Sequence, residues 1–314
     1  MKLLLPFLLL STCAQALNLP AINTANLPQI EAGRDYAVKN GLTTIPGFAF
    51  RISSGMPDAC KGSVIDLYAH QRAGQILSGY PVVYVDKWMP PNSKLVRSAL
   101  EVPNSDADIL LWQNWEHQDS RKGIREDLWA PCQGWSNQLV SAFGIPVIRQ
   151  LDNEPGNVQN SNIDPAVPYG VVPTLAKRQI EYQLANSTGV LCAPAWETEN
   201  QEGLLNQIES ENRRVWGRFT FQSLNWYLEP STLWRTDDTP TKWAKRVHLA
   251  IAEFNKMYWW AGRPILITEI GHLTIPREKR LACYVAFLKN KPASIKLACW
   301  WTFSTDPNEA WGIQ

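Results

Sequence analysis

From residue 47 onward the chain alternates between two arrangements of apolar and polar positions. Short, nearly unbroken apolar runs fall at 47–52, 82–86, 109–113, 147–151, 190–194, 219–224, 265–269 and 295–302. Between them lie stretches with helical apolar spacing at 64–77, 93–100, 137–143, 175–184, 204–216, 242–258 and 277–288. The first kind predicts strands and the second helices. The segment 242–258 shows the helical period best, with Trp243, Val247, Ala250, Ile251 and Phe254 on one side. Strands with hardly a polar position are those of a parallel sheet covered by helices, because both faces are then dry. No Gly/Ser linker and no block of charge interrupts the alternation, so these residues form one βα-alternating domain.

An open doubly wound sheet and a closed barrel both satisfy such an alternation. The first apolar run is not followed by a G-x-G-x-x-G turn, which removes the dinucleotide-binding form of the open sheet. Eight strand-like runs in a chain of 314 residues favour an α/β fold of the (β/α)8 TIM-barrel type over 47–314. The last run reaches Phe303 and only residues 304–314 follow, so the eighth helix is expected to be incomplete or atypical. Residues 17–46 read as an N-terminal lead-in with one helix near 29–39.

The first sixteen residues change the expected setting. Lys2 is followed by the apolar stretch Leu3 to Leu10 and by Ala14-Gln15-Ala16, a small-x-small cleavage site, which together read as a secretory signal. The stretch is too short to span a bilayer, so the expectation is a secreted protein, extracellular or periplasmic, and no membrane partner. Five cysteines follow that site. Cys60 and Cys132 lie in loop-like sequence and are the expected bridge, whereas Cys192, Cys283 and Cys299 fall inside strand or helix patterns, as small buried hydrophobes do.

Charge and metal-ligand content exclude several functions. A net charge of +1 without a basic run offers nothing to nucleic acid. Four histidines, none at ligand spacing and without paired C-x-x-C, give no metal site and no cofactor. The composition stands out in its fifteen tryptophans. Some serve the core, but the number also suits sugar rings, which stack on flat apolar faces. The expected partner is a polysaccharide or oligosaccharide, met by a monomer.

In a parallel barrel the C-terminal strand ends converge on one face. Those ends carry Arg51 and Ser53, Asp86 and Trp88, Trp115 with Glu116 and His117, Asn153 and Glu154, Trp196, Trp226 and Tyr227, Glu269, and Trp301. Two carboxylates with an amide, a phenol and several indoles, but no Ser-His pair, make the set that glycoside hydrolysis uses: one carboxyl protonates the leaving oxygen and the other attacks or steadies the sugar cation. Glu197, Glu199 and Glu202 read instead as a solvated acidic loop. If Asn153 and Glu154 both serve the cleft, the pleat there must be irregular, and Asp152 orients its neighbours.

Asn153-Glu154-Pro155 after the fourth run, Thr268-Glu269-Ile270-Gly271 at the seventh and Trp301-Thr302-Phe303 at the eighth resemble the clan-A retaining glycoside hydrolases, which include endo-β-glucanases, β-mannanases, β-xylanases and β-1,3-glucanases. The resemblance implies that Glu154 is the general acid/base, Glu269 the nucleophile, and Asn153 a hydrogen-bond partner of the sugar 2-hydroxyl. It implies also that Tyr227 holds Glu269 and that Trp301 floors the subsite at the cleaved bond. Trp115, Trp196 and Arg51 complete the expected substrate contacts, although the family's barrel arginine sits elsewhere and no family histidine is matched, which leaves the subfamily open. The expected activity is endo-acting retaining β-glycosidase. A transglycosylase sharing the two glutamates and a non-catalytic carbohydrate-binding barrel are the alternatives.

Overall fold

The computed structural model describes residues 35–52, 63–65, 82–86, 109–113, 147–151, 154, 172–187, 190–197, 205–206, 217–257, 262–303 and 312–313. Its centre is a nine-stranded sheet: β1 (Phe48–Ile52), β2 (Ser63–Ile65), β3 (Val82–Asp86), β4 (Ile109–Gln113), β5 (Val147–Gln150), β6 (Val190–Trp196), β7 (Phe221–Trp226), β8 (Ile265–Ile270) and β9 (Ile295–Phe303). The order across the sheet is β2-β1-β9-β8-β7-β6-β5-β4-β3. β1 and β2 pair antiparallel, and every other neighbouring pair is parallel.

All eight apolar runs of the sequence are strands, so the expected fourth and seventh are β5 and β8. β2 is an addition. A helix was expected over 64–77, yet Val64 and Ile65 belong to a strand facing β1, and the rest of that segment lies outside the described residues. So do the expected helices at 93–100 and 137–143 and the expected Cys60–Cys132 bridge.

The helices with described bodies are α1 (Val172–Asn186), α2 (Pro240–Met257) and α3 (Arg277–Asn290). α2 begins where the sequence provides for it. Pro240 needs no amide partner at a first helical position, and the Thr239 hydroxyl accepts from the Lys242 amide at 3.2 Å. Trp243, Val247, Ile251 and Phe254 bury one face of this helix. The aromatic packing between helices and sheet runs from Phe287 through Trp243 and Trp300 to Tyr284 and Phe48, with successive ring centroids 5.5 to 6.3 Å apart. Cys192, Cys283 and Cys299 are buried in this interior, as expected.

The N-terminal lead-in joins the same core. A helical segment at 35–39 and a 3-10 turn, Leu42–Thr44, bury Ala37, Leu42 and Ile45. Tyr36 donates its hydroxyl to the Ile313 carbonyl at 3.3 Å. The buried guanidinium of Arg280, on α3, holds the neighbouring Gly312 carbonyl at 2.6 Å. Gly47, with φ of 85°, feeds the chain into β1. A Cβ there would lie 2.8 Å from the Lys296 carbonyl, so the strand could not approach β9 with any other residue. Among the described residues no helix is long and apolar enough to cross a membrane.

Candidate active site

The parallel strands deliver two glutamates to their C-terminal ends. β8 is buried along its whole length and carries Glu269 as its fifth residue, 2 % exposed. Gly271 follows β8 with φ of 144°, and a Cβ on it would come within 3.3 Å of the Trp300 ring. Glycine therefore lets the chain turn directly over that indole. Glu154 stands beyond the end of β5, 5 % exposed, with the left-handed φ of 48°. This conformation costs a non-glycine residue about 1–2 kcal/mol and is held by the Glu154 amide, which donates to the Ala195 carbonyl at 2.9 Å. Asp152 and Asn153, on which the expected irregular pleat also rests, lie outside the described residues.

β7, between β6 and β8, supplies the groups that join these carboxylates. Asn225 Nδ2 donates to Glu154 Oε1 at 2.7 Å, and the Tyr227 hydroxyl donates to the same oxygen at 2.9 Å. The expectation had placed the phenol on Glu269; one bond that it makes runs to Glu154. β7 and β8 are offset by a one-residue slip. Leu224 pairs with Ile267, but Asn225 pairs with Glu269, leaving Thr268 as the extra residue. Slips of this kind re-aim side chains next to functional sites. Here the slip brings Glu269 level with Asn225, and lets Thr268 donate to Asn225 Oδ1 at 2.7 Å.

Below this layer the polar contacts continue. Ser223 and Thr268 share a hydrogen bond of 3.2 Å, and Gln150 Nε2 donates to Ser223 Oγ at 2.7 Å. All five residues from Gln150 to Glu154, by way of Ser223, Thr268 and Asn225, are buried. The Cys192 thiol also reaches Ser223, and burial pushes its pKa well up, so it sits there as a neutral group. The loop bearing Tyr227 is pinned from α2. The Thr232 hydroxyl sits between the Glu229 and Tyr227 carbonyls, at 2.6 and 3.1 Å, and the Arg246 guanidinium holds the Ser231 and Leu233 carbonyls while pairing with both oxygens of Asp238. That pairing holds the Asp238 carboxyl below the usual carboxylate range.

The other expected site residues divide into three groups. Arg51 and Trp301 are register partners on β1 and β9, so the two are neighbours across adjacent strands. Trp196 is fully buried and belongs to the core, where an exposed sugar platform was expected. β6 lies between β5 and β7, and its last residue is covered by the surrounding chain. Asn153 and Trp115 lie outside the described residues. Trp300 packs on Tyr284 and Trp243 as a core residue.

Sequence reasoning missed several participants. Asn225, Ser223 and Gln150 are strand-interior polar residues, and a buried amide or hydroxyl in an otherwise apolar strand was the available signal. Glu197, expected in a solvated loop, is 1 % exposed directly after β6. His272, just past Gly271, accepts at Nδ1 from the Thr274 amide at 3.0 Å. Its proton is therefore on Nε2 when the ring is neutral, and burial lowers its pKa. Among the described residues no cluster of ligating side chains could hold a metal.

Comparison with protein-family models gives no match, and comparison with curated proteins gives none. Solved structures do show distant likeness. A GH128 subgroup VI exo-β-1,3-glucanase from Aureobasidium namibiae aligns at 10 % identity over 76 % of this chain and 79 % of its own, with a TM-score of 0.43. A GH128 subgroup II endo-β-1,3-glucanase from Sorangium cellulosum aligns at 12 % identity over 73 % and 82 %, TM-score 0.42. A GH128 subgroup IV endo-β-1,3-glucanase from Lentinula edodes aligns at 11 % identity over 70 % and 73 %, TM-score 0.40. The reading of the site rests on its own geometry.

Proposed function

We propose that this protein is a secreted glycoside hydrolase with a (β/α)8 barrel, cleaving β-glycosidic bonds of a polysaccharide with retention of configuration. The barrel reading is supported by eight parallel strands in sequence order with the first, β1, hydrogen-bonded to the last, β9. The observation that carries the function is Asn225, whose amide binds the carboxylate of Glu154 while its backbone is the register partner of Glu269. This one residue thus relates two buried carboxylates, one on β8 and one beyond the end of β5. Retaining hydrolysis uses carboxyl groups about 5–5.5 Å apart.

In the first step Glu269 attacks the anomeric carbon, and the C–O bond to the leaving sugar breaks as that oxygen takes the proton of Glu154. In the second, Glu154 removes a proton from water, whose oxygen displaces Glu269 from the same carbon. Each displacement inverts, so the product retains the original configuration. Arg51 and Trp301, adjacent on β1 and β9, are proposed to contact the sugar, and Asn153 to bind its 2-hydroxyl.

Reducing-sugar release from a panel of β-glucans, β-mannan, xylan and galactan tests the activity, with Glu269→Gln as the control. The intact protein is expected to hydrolyse one class, and the variant none. Azide added to Glu269→Gly should yield a glycosyl azide of inverted configuration. Substantial turnover by Glu269→Gln, or binding to polysaccharide without any cleavage, would remove the assignment. Products longer than the substrate would redirect it to transglycosylation.

A further inference from the structure

We infer that Gln150, Ser223, Thr268 and Asn225 form a positioning relay that fixes the sense of the Asn225 amide and so assigns the reacting proton of Glu154 to Oε2. The inference rests on the proposed acid/base role of Glu154 and adds which of its oxygens acts and what selects it.

The donors of the relay all point one way. Gln150 donates to Ser223, Ser223 bonds Thr268, Thr268 donates to Asn225 Oδ1, and Asn225 Nδ2 donates to Glu154 Oε1. Each serine or threonine hydroxyl has one proton. Thr268 has the backbone carbonyl of Leu224 at 3.3 Å as another acceptor, but Asn225 Oδ1, at 2.7 Å, is much closer. With the Thr268 proton spent on Asn225, the Ser223 proton is the one shared between them, and Ser223 accepts from Gln150 in turn. The opposite sense of the amide would set Oδ1 against an ionised carboxylate oxygen at 2.7 Å, and would make Thr268 accept from the amide and turn its proton to Ser223 or to the more distant Leu224 carbonyl. The ionised carboxylate at the end of the relay selects the sense drawn.

The consequence falls on Glu154. Its Oε1 accepts from Asn225 and from Tyr227, at 2.7 and 2.9 Å, which occupies both lone pairs of that sp² oxygen. A proton on Oε1 would displace one of these donors. Oε2 is thus the oxygen that gives the proton to the leaving group and later takes one from water. Thr268 owes its place in the relay to the slip between β7 and β8, so the same irregularity that levels Glu269 with Asn225 also orients the other carboxylate.

Neutron diffraction on deuterium-exchanged crystals of the full chain tests the relay without any substrate. The expected map shows deuterium between Thr268 Oγ1 and Asn225 Oδ1, two deuteriums on the Asn225 nitrogen facing Glu154, and any carboxyl deuterium on Oε2. Deuterium on Oε1, or an amide with Oδ1 facing Glu154, overturns the inference. Thr268→Val and Thr268→Ser then test its effect on turnover of whichever panel polysaccharide the protein cleaves. Thr268→Val should lower kcat about tenfold with KM little changed, and Thr268→Ser, which keeps the hydroxyl, should restore it to within about threefold. A Thr268→Val variant of unchanged kcat, or a Thr268→Ser variant as impaired as valine, also overturns it. A map as expected from a protein that hydrolyses no polysaccharide would count against the proposed activity and leave the orientation of the amide standing.

Discussion

Asn225 donates its side-chain amide to Glu154 at 2.7 Å and pairs through its backbone with Glu269. One residue in the middle of the sheet therefore relates two carboxylates that lie more than a hundred positions apart in the chain. Its own oxygen is held by Thr268, the residue next to Glu269.

Under the proposed acid/base role, loss of Glu154 should be felt in proportion to how badly the leaving group needs a proton. Glu154→Ala is expected to lower kcat on the cleaved polysaccharide by about 10²–10⁴. On a dinitrophenyl glycoside of the same sugar the bond-breaking step should be nearly unaffected, because that leaving group departs without protonation. Rate measurements on both substrates, with azide added to restore the second step, give the comparison. Equal losses on both would contradict an acid role.

Stability should fall as the solution is acidified through the range in which His248 titrates. This imidazole is buried against Phe287, ring centroids 4.3 Å apart, and burial brings its pKa down to about 4, with the nearby Lys291 charge adding to the effect. Between about pH 6.5 and 4 the unfolded chain takes up a proton that the folded one does not. The contribution is thus fully present above pH 6.5 and is lost on the way to pH 4, by about 2 kcal/mol in total after allowance for solvent screening. Urea midpoints at pH 7 and pH 4.5 should differ less in His248→Gln than in the unaltered protein.

Trp300 is the packing hub between β9, α2 and α3. Replacing it with alanine removes contacts to Trp243, Tyr284 and the backbone at Gly271 and should cost about 3–5 kcal/mol. Chemical denaturation followed by fluorescence checks this, and a cost below about 1 kcal/mol would mean the interior repacks freely.

The three buried thiols should resist modification until the chain unfolds. Burial raises Cys192 strongly and Cys283 to about 12, so neither offers thiolate near neutral pH. After treatment with iodoacetamide, peptide mass spectrometry should find Cys192, Cys283 and Cys299 labelled only in denaturant. Labelling of Cys192 in the native protein would show that the region beneath Ser223 opens.

Much of this protein was legible in its residues taken in order. Unbroken apolar runs such as Ile265-Leu266-Ile267 identify strands covered on both faces, because only a dry sheet tolerates them, and the period of Trp243, Val247, Ile251 and Phe254 identifies a helix with one buried side. Glu269 at the end of such a run and Glu154 before a proline were visible as candidates for the same reason: carboxylates are costly to bury without purpose. What the linear pattern could not contain is a relationship across strands. The slip at Thr268 depends on how β7 registers against β8, and the left-handed backbone of Glu154 on the Ala195 carbonyl that β6 brings to it; both are decided by packing among residues far apart in the chain. Trp196 and Glu197 were misjudged on the same ground, since burial at the end of a strand is set by what other segments bring to it. Local composition determined the elements and which residues were candidates for chemistry, whereas tertiary register decided which groups meet.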